Sequence, residues 1–74
     1  MRTLDTLRPG DSAVIRALHA APGAVLRLYD MGLTQGANVT LLRSAPFGDP
    51  LVVSLRGYRL AIRRADARRV EVEP

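Results

Sequence analysis

The chain has 74 residues, of which 47% are hydrophobic and 24% charged, a composition typical of one small folded domain. Eleven basic and seven acidic residues give a formal net charge of +4, and every basic residue is arginine because lysine, like cysteine, does not occur. These absences exclude lysine-dependent phosphate loops, Schiff-base chemistry, cysteine nucleophiles, disulfides and thiolate zinc sites.

The first half of the chain predicts a strand and then a short helix. Residues 1–11 form a lead-in that ends in a Pro-Gly turn at 7–11 (LRPGD). Residues 12–18 (SAVIRAL) contain β-branched side chains and no turn former, which predicts a strand. Residues 24–31 (AVLRLYDM) are rich in helix formers, and Gly32 stands where a left-handed residue ends a helix. We therefore predict a helix of about two turns.

The second half of the chain predicts a run of strands. In residues 37–43, 51–56 and 58–63, every second side chain is apolar and is expected to point inward, while the side chains between them are expected to point outward. This pattern is typical of strands. The loop 44–50 (SAPFGDP) separates the first two of these strands, since two prolines and a glycine cannot lie inside a strand. A tight turn around residues 56–57 joins the last two as a hairpin.

The end of the chain completes a small β fold. Residues 64–69 predict a helical turn, and residues 70–73 (VEVE) a last strand with both valines inward. Five short strands and one short helix are too few for a sandwich, so we expect a strongly bent sheet closed on itself. The prediction is an all-β SH3-like barrel of about five strands with one short helix, forming a single domain over residues 1–74.

The catalytic and targeting signals of the sequence are sparse. The single histidine, His19, has no triad motif around any serine, which predicts a protein that is not an enzyme. Charged residues are spread through residues 1–18, so no apolar run has the length of a signal peptide or a membrane span. The lack of cysteine also fits a reducing compartment. We expect a cytoplasmic protein.

The order of these features resembles the FeoA family of ferrous iron transport proteins. The resemblance covers nearly the whole chain and is carried by residues 7–11 (LRPGD), 28–37 (LYDMGLTQGA), 45–50 (APFGDP), 56–63 (RGYRLAIR) and 70–72 (VEV). It implies a cytoplasmic SH3-like domain that acts with a FeoB-type ferrous iron transporter, a membrane protein with a cytosolic GTPase domain. The same domain type occurs behind DNA-binding domains in metal-dependent repressors, but this chain has no room for a winged helix. The transport setting is therefore favoured.

The acidic side chains do not form a ligand pattern for iron. Glu71 and Glu73 share a strand face at the exposed end of the chain, and no other pair has a recognisable ligand spacing. His19 is interpreted as an ordinary surface or edge histidine. We therefore predict no resident metal and no cofactor.

Positive charge is concentrated after residue 55, with a net charge of +5 over residues 56–69 against +1 over residues 1–37. The simplest interpretation is that the arginines are the outward side chains of a half-buried hairpin. This face could instead approach an anionic membrane surface, which would place the protein peripherally at the inner membrane. A further hypothesis places Arg59 or Arg63 in a partner's GTP site as an arginine finger. Nucleic-acid binding is disfavoured because few aromatic side chains are available for stacking.

The helix end and the 44–50 loop are the predicted contact surfaces. Leu28 and Met31 are expected either to plug the barrel or to reach a partner, while Arg27 and Tyr29 face outward and Phe47 lies at the tip of a rigid loop. The candidate partner-binding residues are Arg27, Leu28, Tyr29, Met31, Phe47, Arg59 and Arg63.

The principal hypothesis is an accessory protein that binds the transporter's cytosolic GTPase region. The alternative is a basic SH3-like module that binds nucleic acid or serves as an interaction domain of a metal-dependent regulator. Self-association through exposed strand edges stays open.

Overall fold

The computed structural model describes residues 1–73 as five strands and two short helices around one apolar core. The elements are β1 (Ser12–Leu18), α1 (Pro22–Asp30), β2 (Asn38–Ser44), β3 (Leu51–Leu55), β4 (Tyr58–Ile62), α2 (Arg64–Ala67) and β5 (Val70–Val72). Two 3₁₀ turns, Leu4–Thr6 and Pro46–Gly48, lie in the lead-in and in the loop before β3. All five predicted strands, the helix and the helical turn are thus confirmed.

Helix α1 starts two residues before its predicted first residue. Pro22 occupies its first turn, where the missing N–H costs no hydrogen bond and the fixed φ suits the helix. With nine and four residues, α1 and α2 both fall short of the length that a bilayer crossing requires.

The sheet has the strand order β4-β3-β2-β1-β5, and every neighbouring pair is antiparallel. Register shifts lie in β1 between Ile15 and Ala17 and in β2 between Leu41 and Arg43. Such bulges bend the strands that carry them, so the sheet curves around the core. The expected full closure was wrong: within residues 1–73 no ladder joins β4 to β5, and α2 connects these two outer strands instead.

The core is built from the inward side chains of the strands together with leucines from the connections. The fully buried large side chains are Leu4, Ile15, Leu28, Leu33, Leu51, Leu55, Ile62, Val39, Val53, Val70 and Val72. Both valines of β5 point inward as predicted. Leu4 and Leu7 of the lead-in are also buried, although the sequence pattern there showed no strand or helix. The lead-in therefore covers one side of the core.

Candidate partner-binding surface

The carboxyl end of α1 is closed by a left-handed glycine. Gly32 has φ +94°, its N–H donates to the Tyr29 carbonyl at 2.8 Å, and the Leu33 N–H donates to the Leu28 carbonyl at 3.1 Å. This pair of bonds is the Schellman arrangement, in which the flanking apolar side chains pack together. Leu28 and Leu33 are both fully buried. The predicted helix end is confirmed, and it holds Tyr29 on the outer side of the helix.

The β3–β4 turn clamps this helix end. Arg56 and Gly57 both have positive φ, +51° and +84°, as in the two-residue hairpin turn predicted from the sequence. The Tyr58 hydroxyl donates to the Met31 carbonyl at 2.5 Å, and the Arg56 guanidinium donates to the Thr34 hydroxyl at 2.5 Å. The hairpin is therefore bonded directly to the end of the helix.

The outer side of α1 carries an apolar pair that we call the α1 face. Leu26 is 64% exposed and Tyr29 is 45% exposed, and their spacing of three residues puts them side by side on the helix. The sequence interpretation did not single out Leu26. The sequence does contain a signal for Leu26. It lies two positions from the core residue Leu28, so the two side chains point to opposite sides of the helix.

The loop between β2 and β3, residues 44–50, presents Phe47 to solvent. Its ring is fully exposed and its backbone has φ +72°. The loop itself is held in place: the Ala45 N–H donates to the Pro50 carbonyl at 2.8 Å, and the Arg64 guanidinium donates to the Gly48 carbonyl at 3.0 Å. A large aromatic ring on a fixed backbone loses little conformational freedom when a partner covers it. We call this segment the Phe47 loop.

Helix α2 is bonded both to helix α1 and to the Phe47 loop. The Asp66 carboxylate accepts two bonds from Arg27 of α1, at 3.2 and 3.4 Å. Two residues earlier, the Arg64 N–H donates to the Asp49 carboxylate at 3.0 Å, and the Arg64 guanidinium also reaches the Asp5 carbonyl at 3.1 Å. One helical turn thus supports both parts of the candidate surface.

The seven candidate residues divide into three groups in the structure. Leu28 is fully buried and Met31 is packed against the core, so both side chains fill the interior of the fold. Leu28 therefore has no exposed surface for a partner. Arg27 is exposed but engaged by Asp66. Tyr29 and Phe47 are exposed, as are Arg59 and Arg63. The candidate surface therefore offers Leu26, Tyr29 and Phe47 as exposed apolar side chains, and Arg59 and Arg63 as exposed basic ones.

The acidic residue of β5 is paired with basic neighbours. Glu71 accepts a hydrogen bond from His19 at 2.7 Å and lies 3.5 Å from the Arg16 guanidinium. The hydrogen bond from His19, followed by the charges of Arg16 and His19, holds the pKa of Glu71 below its usual range. Across residues 1–73 no three histidine, aspartate or glutamate side chains converge as metal ligands.

The comparison with protein families identifies the group to which this sequence belongs. A family model described as "FeoA domain" matches residues 2–74. The chain belongs to the FeoA family. The resemblance found in the sequence is therefore confirmed, and the FeoA family is associated with ferrous iron transport.

Known proteins that are similar to the chain agree with this assignment. A Porphyromonas gingivalis protein described as an "Fe(2+) transport protein A/Fe(2+) transporter FeoB fusion protein" is 34% identical over 70 residues, which are 95% of this chain and 8% of the fusion protein. The solution structure of the FeoA protein from Chlorobium tepidum is 39% identical, with a TM-score of 0.89 over 97% of this chain and 69% of that one. The chain thus matches a small part of the fusion protein and most of the FeoA protein.

The crystal structure of Stenotrophomonas maltophilia FeoA bears on the fold class. It was obtained with zinc and is described as a procaryotic SH3 domain protein. That protein is 34% identical to this chain, with a TM-score of 0.79 over 99% of this chain and 91% of the other. The predicted SH3-like fold is therefore confirmed.

Replacing Arg64 by alanine is expected to loosen the Phe47 loop. The change removes the bonds to the carbonyls of Gly48 and Asp5, which leaves two part-buried acceptors without their charged donor. We expect the free energy of unfolding to fall by about 1–2 kcal/mol, measured by urea denaturation. The Gly48 amide should also exchange faster with deuterium.

Arg63→Ala is the matched control, because Arg63 directly precedes Arg64 in the sequence and its side chain is exposed. This variant should change the stability by less than about 0.5 kcal/mol. Equal losses in the two variants would contradict a tethering role for Arg64.

Proposed function

We propose that this protein is an accessory component of ferrous iron uptake that binds the cytosolic GTPase region of a FeoB-type membrane transporter. The supporting observation is the Porphyromonas gingivalis fusion protein, in which a segment similar to this chain and a FeoB transporter share one polypeptide. A covalent link keeps two binding partners at high effective concentration. Its occurrence in a relative supports an association between the separate proteins here.

The α1 face and the Phe47 loop are the proposed contacts. Exposed tyrosine and phenylalanine are typical anchors of protein interfaces, since each buries a large area at a low entropy cost. An interface of ordinary size covers about 800 Å² on each partner, which is less than a fifth of the 4515 Å² surface of this chain. One partner can therefore cover the α1 face together with neighbouring parts of the barrel.

The proposed mode of action is contact with a partner that changes shape. A bound protein shifts the partner between two conformations only by the difference in its affinity for them. The α1 face is suited to such discrimination because the hairpin bonds to Met31 and Thr34 anchor the chain directly after the helix that carries it. The protein would act on the cytoplasmic side of the inner membrane, where Arg59 and Arg63 face anionic lipid or the partner.

Titration of the chain against the transporter's cytosolic domain tests this proposal. The domain is prepared without nucleotide, with GDP and with a non-hydrolysable GTP analogue, and the affinity for each form is measured by calorimetry. We expect the dissociation constants of two forms to differ by at least about tenfold, which corresponds to about 1.4 kcal/mol. Duplex DNA at low salt serves as the negative control.

Two outcomes would contradict the proposal. A lack of binding in every nucleotide state would remove the proposed partner. Equal affinities in all three states would remove the regulatory role, because the chain could then shift no equilibrium.

A further inference from the structure

Strand β4 lies at the end of the sheet with one side unpaired. Over residues 1–73 its only ladder is with β3, from the pair Leu55–Tyr58 to the pair Leu51–Ile62. In a hairpin with a two-residue turn, the residue pair next to the turn forms two backbone hydrogen bonds across the strands. Every second residue pair after it does the same. The backbone groups of Arg59 and Ala61 therefore point away from β3, which leaves two N–H donors and two carbonyl acceptors along the open edge.

The other end of the sheet is treated differently. The outer side of β5 carries a bridge between Thr3 and Glu71, and the Val72 N–H donates to the Arg2 carbonyl at 2.9 Å. The lead-in thus covers this edge. The five-residue edge of β4 has no such cover in the described chain, although β4 is longer than β5.

The charges beside the open edge select its partner. Arg59 of β4 and Arg63, the extended residue directly after the strand, are exposed and fall on the same side of the chain, about 13 Å apart at four extended residues. Arg56 and Arg64 lie just beyond the two ends. The acidic side chain of Asp49, which lines a depression together with Ala61 and Arg63, is already bonded to the Arg64 N–H at 3.0 Å. The surroundings of this edge are strongly positive.

Charge also argues against a second copy of the chain as the occupant. Two β4 strands paired edge to edge would bring the arginines of one copy close to those of the other, and facing like charges destabilise a strand pair. A strand with carboxylates at the same spacing would instead form opposite-charge pairs. Pairing of two β4 edges is therefore disfavoured, and pairing of β4 with an acidic strand is favoured.

A shallow depression next to the edge adds room for a side chain. It is lined by Asp49, Pro50, Ala61 and Arg63. Pro50 and Ala61 are its apolar lining residues, Arg63 adds positive charge, and the Asp49 carboxylate is bonded to the Arg64 N–H. An extended segment with a small apolar residue between two acidic ones would place its carboxylates at Arg59 and Arg63 and its apolar side chain in the depression.

We infer that the β4 edge accepts an extended acidic segment of a partner protein as an added strand. The backbone groups of Arg59 and Ala61 bond to the segment, and Arg59 and Arg63 pair with two carboxylates spaced four residues apart. This mode of recognition takes affinity from backbone bonds and specificity from alternate side chains. The inference rests on the proposed function only in that the transporter is the natural source of the segment.

A synthetic peptide tests the inference on the full chain. The probe is a capped peptide with the central sequence Glu-Thr-Val-Thr-Glu, in which the valine lies between the glutamates on the same face, and the control peptide has glutamine in place of both glutamates. We expect the acidic peptide to slow deuterium exchange at the amides of Arg59 and Ala61 in the labelled protein. We also expect it to bind at least about tenfold more tightly than the control peptide.

Charge reversal provides the second measurement. The double variant Arg59→Glu/Arg63→Glu should lose at least about tenfold in affinity for the acidic peptide and bind a peptide with lysine at both positions instead. The matched control is Arg8→Glu/Arg69→Glu, which makes the same change in net charge at exposed positions outside β4 and its flanking residues. It should alter the affinity by less than about twofold.

Three results would overturn the inference. These are peptide binding without protection of the Arg59 and Ala61 amides, equal losses in the two double variants, and protection that appears in the protein alone as its concentration rises. The last result would assign the edge to a second copy. If the peptide binds but the transporter domain does not, the proposed function is contradicted and this inference stands. If the transporter domain binds but the peptide does not, this inference alone is contradicted.

Discussion

Replacing Gly32 by alanine is expected to lower the free energy of unfolding by about 2–4 kcal/mol. Gly32 has φ +94°, a conformation that costs a side-chain-bearing residue about 1–2 kcal/mol. An added Cβ would also overlap the Tyr58 hydroxyl and lie 3.2 Å from a methyl group of Leu55. Tyr58 would then have to move and give up its bond to the Met31 carbonyl. Urea denaturation measures the loss.

Gly36→Ala is the matched control for this prediction. Gly36 has a similar φ of +87°, but no atom lies within 4 Å of the Cβ that alanine would add. Its loss should therefore be limited to the backbone cost of about 1–2 kcal/mol. Equal losses at the two glycines would show that the contact with Tyr58 has no energetic role. In a Tyr58→Phe background the difference between the two glycines should shrink, because the overlapping hydroxyl is gone.

The double variant Leu26→Ala/Phe47→Ala is expected to bind the transporter's cytosolic domain at least about thirtyfold more weakly than the unaltered chain. This corresponds to about 2 kcal/mol, the usual threshold for residues that dominate an interface. Both side chains are largely exposed in the free protein, so their truncation should leave stability nearly unchanged. Calorimetric titration gives the affinity and thermal unfolding the stability.

Two control variants accompany this measurement. Gln35→Ala truncates an exposed polar side chain next to the helix end and should leave affinity within about twofold. Leu28→Ala truncates a fully buried side chain and should lower stability by about 2–5 kcal/mol. An unchanged affinity in the Leu26→Ala/Phe47→Ala variant would rule out the α1 face and the Phe47 loop as the contact.

Much of the fold could be predicted from local patterns. The alternation in residues 37–43, 51–56 and 58–63 placed three strands within one or two residues of their observed bounds, because a strand that buries one face must alternate. The end of α1 could be predicted from Gly32, since few other residues adopt its backbone conformation without strain. These features depend on neighbours close in sequence.

The candidate surface was harder to predict. Tyr29 and Phe47 could be identified because large side chains stood outside the apolar stripe or inside a proline-bounded loop. Leu28 was a candidate that the structure buries, and Leu26 was missed although it is more exposed than Tyr29. Helix periodicity gives two sides, but the choice of the buried side depends on where the barrel lies relative to α1.

By itself, the amino-acid sequence determined the five strands, the helix and the helical turn, the left-handed turns at Gly32 and Gly57, and membership of a recognisable family. Only the tertiary structure decided that the sheet stays open, that the lead-in covers β5 but leaves β4 free, and that α2 holds Arg27 and the Phe47 loop. The physical reason is distance along the chain. Backbone preferences and side-chain alternation act over a few residues, whereas the pairs Arg27–Asp66 and Asp5–Arg64 join residues 39 and 59 positions apart and exist only once the core has brought them together.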